Sequence, residues 1–309
     1  MLQVLTAIAP LFLIIFASAL LQKFKNIGDN WATVLNEFAL KIGFPVLIFS
    51  ALSKAPFSFS TEAELIAYNS LFILSSLLLA FALGKILRLK KQMLRTLFIC
   101  FVFGNVAYLG IPILTQVSGD QVLPTATLIV ALYLFWIFTI GIGYLDYSME
   151  KSKKDLVKNI VKNVLTNPLL ISVVLGILIG SFQITLPAIL LESLDMITAS
   201  VTPTVLIVIG LFIGKSTFGK SCEWIPVLLF SILKLVLLPA IFYFAANFFE
   251  ISSPQISSSI IQAAMPLAIT PFALADKYDL NKNFIARSMV LGTILSIVSL
   301  PFWISILTS

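Results

Sequence analysis

The sequence predicts an all-α polytopic membrane protein of ten transmembrane helices, arranged as two inverted five-helix repeats with broken crossover helices 4 and 9. Three observations carry this. Of the 309 residues 59% are apolar and only 11% charged, against about 25% charged in a soluble domain. The mean hydropathy is +1.06, so the solvent for most of the surface is lipid. Proline landmarks then recur at one offset along the chain, as described below.

The apolar runs place spans at residues 2–22, 31–52, 63–84, 95–117, 121–146, 167–184, 189–214, 223–248, 255–277 and 283–307. At about 1.5 Å per residue these lengths cross about 30 Å of hydrocarbon. Barrel strands would show alternating segments of about ten residues, and the runs do not alternate. The first run has no cationic leader and no small-residue cleavage site, so it reads as a spanning helix. Connections are short except at 147–166, where Leu156, Ile160, Val161 and Val164 share one helical face and lysines the other. That pattern suits an interfacial amphipathic helix, with a solvated linker as the alternative. The expected organisation is a first repeat over 1–146, this cytoplasmic linker, and a second repeat over 167–309.

The formal net charge of +6 has a topological meaning and implies no nucleic-acid partner. Of 20 Lys and Arg residues, all but Lys41, Lys54 and Lys234 fall in odd-numbered loops. These are Lys23 and Lys25; Lys85, Arg88, Lys90, Lys91 and Arg95; Lys151, Lys153, Lys154, Lys158 and Lys162; Lys215 and Lys220; and Lys277, Lys282 and Arg287. Basic residues are retained on the cytoplasmic side, which places the odd loops inside and both termini outside. The absence of His removes the commonest proton shuttle and metal ligand. Cys100 and Cys222 read as buried small side chains, and no cofactor or metal site is expected.

Pro10 and Pro168, Pro45 and Pro203, and Pro112 and Pro271 each pair at an offset of 158 or 159 residues, in spans five apart. Five is odd, so the second copy enters the membrane from the opposite side. Spans four (CFVFGNVAYLGIPILTQ) and nine (IIQAAMPLAITPFALADKYD) are the most interrupted and occupy matching positions. Gly104, Asn105, Gly110 and Pro112 break the one; Pro266 and Pro271 break the other, with Ile269 and Thr270 between. Broken backbone inside a membrane is tolerated in protein or beside a cavity. Two half-helix N-termini there would suit an anionic group, and Asn105 adds a neutral donor and acceptor.

The segment GNVAYLGIPIL resembles the Asn-then-Gly-x-Pro crossover motif of the auxin efflux carrier family, which includes plant PIN-FORMED proteins. MPLAITPFALADKYDLNKNFIARSMVLGTILSIVSLP is similar to that family's ninth and tenth helices, and the resemblance runs along the whole chain. It implies ten helices, a homodimer in the cell membrane, and an elevator-like motion. Helices 1, 2, 6 and 7 would form the scaffold, and helices 3–5 and 8–10 the moving domain. The implied substrate is a small organic anion: auxin in plants, malate or a similar carboxylate in bacteria. The resemblance places it at the crossover against Asn105 and against helix two at Pro45, Val46 and Phe49. The long central hydrophilic loop of many plant members is missing, which suggests a prokaryotic relative. Their Asn-Pro-Asn signature stands here as Asn167-Pro168-Leu169, a departure that bears on auxin itself as substrate.

Intramembrane charges cost roughly 2.5–3.5 kcal/mol each if isolated. Lys41 has Glu37 one turn before it and reads as paired or snorkelling. Lys234 has no acid within a turn. It either faces the interior, with Asn69 as a polar neighbour, where it holds the crossover or replaces a bound cation, or it snorkels. A cation/proton antiporter would want carboxylates at the breaks, and spans four and nine carry none at mid-membrane. A sodium-coupled anion symporter remains open, as does a receptor without transport. No hydrolase or intramembrane-protease motif is present, so the chain reads as no enzyme.

The charge pattern makes a testable statement. Single cysteines at Lys90 and Lys154 should be shielded from an impermeant thiol reagent outside intact cells, and one at Ser252 should label. The reverse labelling would overturn the orientation.

Overall fold

The computed structural model describes residues 2–24, 28, 30–55, 59–149, 153–215, 224–251 and 254–308. Lys25, Lys151, Lys220, Cys222 and Ser252 lie outside the described residues. Long apolar runs close their backbone hydrogen bonds within helices, as a lipid environment requires. In chain order the helices are α1 (Leu2–Lys23), α2 (Trp31–Phe38), α3 (Phe44–Ser53), α4 (Phe59–Ile86), α5 (Lys91–Val102), α6 (Ile111–Ser118), α7 (Leu123–Trp136) and α8 (Ile142–Ser148). They continue as α9 (Lys153–Leu165), α10 (Pro168–Ser181), α11 (Ala188–Lys215), α12 (Trp224–Ile232), α13 (Leu238–Phe248), α14 (Pro254–Ala263), α15 (Thr270–Leu274) and α16 (Lys282–Thr308). Among the described residues there is no β-strand, only an isolated antiparallel bridge between Gly104 and Leu267.

Among the described residues are four π turns: Ala39–Gly43, Ile137–Gly141 and Leu233–Leu237 each join two helices without interrupting them, and Val106–Gly110 leads into α6. Three end two residues before a proline: Pro45, Pro112 and Pro239. Proline lacks the N–H that the carbonyl four residues earlier would accept, and a widened turn absorbs the mismatch. At Pro239 that carbonyl belongs to Leu235, and the Trp303 indole N–H donates to it at 2.9 Å.

Among the described residues seven helical stretches are long and apolar enough to cross a bilayer: Gln3–Lys23, Trp31–Ser53, Glu62–Ile86, Asp120–Ser148, Ala188–Lys215, Trp224–Phe248 and Lys282–Leu307. Asp155–Leu165 and Pro168–Ser181, bent by 54°, add an eighth if taken as one span. Three of the ten expected spans are not single long helices. Span 95–117 is divided at 103–105, and 255–277 at 264–269. Span 167–184 holds a 14-residue helix, about 21 Å long and short of a full crossing.

Packing divides the chain into two compact units. The first comprises Met1–Glu64, Ala107–Ala131 and Asn167–Thr217, and the second Leu65–Val106, Leu132–Thr166 and Phe218–Ser309. The first unit is organised by two helix pairs, α1 on α11 and α3 on α10. Both use glycines four apart. A Cβ at Gly210 would stand 2.3 Å from the Ile15 carbonyl oxygen, and one at Gly214 2.4 Å from that of Ala19. A Cβ at Gly180 would stand 2.4 Å from the Ala55 oxygen, and one at Gly176 2.8 Å from Leu52 Cβ. Where lipid tails remove the hydrophobic incentive for helices to associate, such close backbone approach supplies the packing.

The second unit packs through aromatic side chains. Phe242 stacks on Tyr68 at 4.7 Å and on Phe72 at 4.3 Å between centroids, and the Tyr68 hydroxyl donates to the Phe242 carbonyl at 3.0 Å. Cys100 is a buried free thiol. In α9, Leu156, Ile160 and Val164 are half-buried and Val161 is exposed. Asn159 donates to Asp146 at 3.0 Å.

The glycine seams predict a size-dependent loss. Gly180→Ala and Gly214→Ala should each destabilise the purified protein by about 1–3 kcal/mol, the range for overpacking. Gly28→Ala, whose Cβ meets nothing closer than 3.7 Å, should stay within about 0.5 kcal/mol. Unchanged melting temperatures in detergent for the two seam variants would remove the seams from the account.

Candidate substrate site

In the second unit, α5 stops at Val102 because Gly104 and Asn105 leave the helical conformation, and α14 stops at Ala263 before Pro266. The two irregular stretches satisfy each other. The Asn105 N–H donates to the Pro266 carbonyl at 2.7 Å, and the Ala268 N–H donates to the Phe103 carbonyl at 3.0 Å. Gly104 and Leu267 lie opposite each other between these bonds. A Cβ at Gly104 would meet Val106 Cγ1 at 3.3 Å and the Lys234 ammonium nitrogen at 3.8 Å. Glycine there lets the strand-like pair and the lysine come close.

Asn105 is 3% exposed. Its backbone N–H is committed to Pro266, and its side-chain amide has no hydrogen-bond partner among the described residues. It immediately precedes the helical run Val106–Ser118, so it stands where an N-cap stands and the run's first N–H groups are free of intrahelical bonds.

Lys234 lies in the π turn of Leu233–Leu237 and is buried. Its ammonium donates to the Phe101 carbonyl, one of the last four carbonyls of α5, which have no partner within the helix. A cation at this end also opposes the helix dipole. Asn69 is not its hydrogen-bond partner: Asn69 Nδ2 donates to Ser259 Oγ at 2.8 Å and to the Leu65 carbonyl at 2.9 Å. Sequence reasoning passed over Ser259 and Gln262, both buried on α14. The available signal was two polar residues one turn apart in an apolar span.

The breaks differ from expectation in position. Gly110 and Pro112 do not interrupt their helix; the π turn Val106–Gly110 leads straight into α6, with Pro112 in its first turn. Pro271 likewise sits in the first turn of α15, preceded by Ile269 and beginning with Thr270. Proline costs little there because its missing N–H would have no helical partner. The interruption comes from Gly104-Asn105 and from the stretch around Pro266. With five residues, α15 also has a much smaller dipole than the half-helix expected.

Gly110, Pro112, Pro45, Val46, Phe49 and Lys41 belong to the first unit. Pro45 is in the first turn of α3, and Val46 and Phe49 are half-buried. Phe44 lies against Tyr108 at 5.0 Å, and the Tyr108 hydroxyl donates to Asn36 Oδ1 at 2.7 Å. Lys41 pairs with Glu37 at 2.8 Å on the exposed side. A cavity of about 600 Å³ within this unit is lined by Leu47 and Ser50 of α3, by Lys54 just beyond it, by Thr115, and by Asp120 and Asp195 among others. Asp195 accepts from Lys54 at 2.5 Å and from Ser50 at 3.3 Å. The cavity's one lysine is thus already paired, so the cavity offers no uncompensated positive charge. Among the described residues no group of three or more His, Cys, Asp or Glu is placed to hold a metal ion.

The chain matches the family described as membrane transport protein over residues 3–304. It is 25% identical over 284 residues to an uncharacterised transporter of Methanocaldococcus jannaschii, covering 91% of each chain. It is 24% identical over 112 residues to auxin efflux carrier component 8 of Arabidopsis thaliana, 36% of this chain and 30% of that one. A probable auxin efflux carrier component 9 of Oryza sativa is 23% identical over 121 residues, 39% of this chain and 28% of its own.

The lysine contact predicts a stability effect. Lys234→Met should destabilise by about 1–3 kcal/mol, because the Phe101 carbonyl loses its donor in a buried setting. Lys234→Arg should recover part of the loss. A Lys234→Met protein that melts with the wild type would show that the contact contributes nothing.

Proposed function

The chain belongs to the membrane transport protein family, that of the auxin efflux carriers, and on that premise we propose that it carries a small organic anion, a carboxylate such as malate or an auxin-like acid, at the paired breaks. The observation that carries this reading is Asn105: a buried residue whose side-chain amide has no hydrogen-bond partner among the described residues, ahead of a 13-residue helical run, with its backbone pinned to Pro266. A carboxylate placed there would accept from the amide. No acidic side chain interrupts 103–112 or 264–271, so the anion meets no like charge from either break.

The transport cycle in this proposal is elevator-like. The second unit, with Asn105 and Lys234, carries the substrate, and the first unit serves as scaffold in a homodimer. What supports the division is that helices from both halves of the sequence make up each unit, as two interlocked inverted repeats of ten spans would. The basic odd-numbered loops support a cell-membrane protein with both termini outside. Lys234 places an ammonium group at the break, where a sodium-coupled relative would hold a cation drawn from solution.

The test is uptake into proteoliposomes with a panel of mono- and dicarboxylates, with pH and Na⁺ gradients imposed separately, followed by binding titration of the transported acid. Asn105→Ala should fold normally and weaken binding about tenfold, since a hydrogen bond to a charged group contributes roughly 1.5–3 kcal/mol. Wild-type affinity in a folded Asn105→Ala protein would remove the substrate from this position. Acceleration by Na⁺ rather than by pH would assign the coupling to a cation and leave Lys234 structural.

A further inference from the structure

The second unit holds another cavity, of about 590 Å³, lined by Phe81, Lys85, Lys91, Leu94, Arg95 and Tyr144, with Tyr147 and Ser148 at its edge. Three of these side chains are cationic and none is acidic. The first unit's cavity, with Asp120, Asp195 and Lys54, has the opposite balance.

The basic cavity is built, not a chance grouping of surface lysines. Arg95 is 7% exposed. One guanidinium nitrogen reaches Asp279 Oδ2 at 2.6 Å and the Asp279 carbonyl at 3.3 Å, while its buried Nε has no partner. A guanidinium presents five donors in a fixed fork, and the pairing with Asp279 holds the Arg95 side chain in place against the cavity. The Tyr144 ring is fixed between Phe98 at 4.1 Å and Phe81 at 6.0 Å. Gly84 sets the rim: a Cβ there would stand 2.1 Å from Leu94 Cδ1, so the end of α4 lies tight on the start of α5. Lys85 and Lys91 are thereby brought to one opening.

The surface outside the opening tells lipid from soluble anion. Along α4, Leu71 and Leu78 are exposed at 62% and 68%, and they lead to Lys85 at intervals of seven residues. Seven residues are close to two helical turns, so the three lie on one face. The stripe runs about 21 Å from Leu71 to Lys85, more than half of a hydrocarbon core about 30 Å thick. Ile86 and Leu87 beyond it are exposed at 74% and 62%, and the exposed Tyr147 suits a membrane–water boundary. An acyl chain fits the stripe, and the phosphate it carries would arrive at Lys85, Lys91 and Arg95.

We propose that this cavity is a specific site for the phosphate of an anionic phospholipid, whose acyl chain lies along the Leu71–Leu78 face of α4. The shared chemistry with free phosphate is an oxyanion that accepts from the two ammonium groups, with the Arg95 guanidinium beside them. The apolar stripe assigns the source to lipid. A zwitterionic headgroup brings its own cation against the Lys85 and Lys91 ammonium groups and binds less well.

Native mass spectrometry of the purified protein tests this with dioleoylphosphatidylglycerol, dioleoylphosphatidylcholine and inorganic phosphate as probes. Arg95 is tied to Asp279, so the variant of choice is Lys85→Gln/Lys91→Gln, which leaves that ion pair intact. The charge-matched control is Lys158→Gln/Lys162→Gln on α9. The expected result is retention of one phosphatidylglycerol by the wild type and the control, weakened about tenfold or more in Lys85→Gln/Lys91→Gln. Phosphatidylcholine should bind less at equal concentration, and inorganic phosphate should not compete. Equal retention by Lys85→Gln/Lys91→Gln, or equal loss in the control, would overturn the site. Displacement of the lipid by millimolar phosphate would overturn the lipid as its occupant.

Discussion

Hydrocarbon has nothing to offer a backbone N–H or carbonyl, and a helix that stops inside it must find partners elsewhere. Here the partner of each broken stretch is the other broken stretch. Asn105 and Phe103 bond to Pro266 and Ala268 through the main chain, so neither interruption is tenable alone. The carbonyl end of α5 is met by the Lys234 ammonium, and the carbonyl that Pro239 leaves open is met by Trp303. This mutual satisfaction lets the chain present an amide side chain inside an apolar body. The main chain uses its own groups on itself and leaves the Asn105 side chain without a hydrogen-bond partner among the described residues.

The two units solve the membrane packing problem differently. The first brings backbones together at glycines four residues apart, which yields tight seams along α1–α11 and α3–α10. Such seams have little room for repacking, because a methyl group at their centre meets a carbonyl oxygen. The second unit is held by stacked rings and by buried polar contacts such as Asn69 with Ser259. Its breaks lie within the polar part. A rigid seam in one body and a polar interior in the other suit the roles of scaffold and carrier in the proposed cycle.

Much of this was legible beforehand, for reasons that can be named. Composition and run length located seven helices, because span length is set by bilayer thickness and apolarity by the solvent. The family was legible in GNVAYLGIPIL and in the sequence of the last two helices. The first break was read in part: Gly104 and Asn105 open it, and Gly110 and Pro112 do not. Gly110 and Pro112 look like helix breakers, yet a π turn followed by proline in the next first turn carries the helix through them. What opens the helix is Gly104-Asn105, whose backbone finds a better partner more than 150 residues away than within its own segment. No local pattern encodes that choice. The partners of Asn69 and Lys234 were hidden for the same reason: burial of a polar residue can be read from sequence, but its distant acceptor cannot. The glycine pairs Gly176/Gly180 and Gly210/Gly214 were readable as a motif and went unused.

The pairing of the two breaks also has a history in time. Phe103 and Asn105 leave the ribosome about 160 residues before Pro266 and Ala268, which at 5–20 residues per second is roughly ten to thirty seconds. Throughout that interval the first break is inside or beside the membrane with its partner still unsynthesised. The nascent chain must therefore keep that segment near water or within the insertion machinery until the last helices arrive. Completion of the crossover is thus a late, post-insertional event, and a chain truncated before Pro266 has no means of closing the gap that its own first half opens.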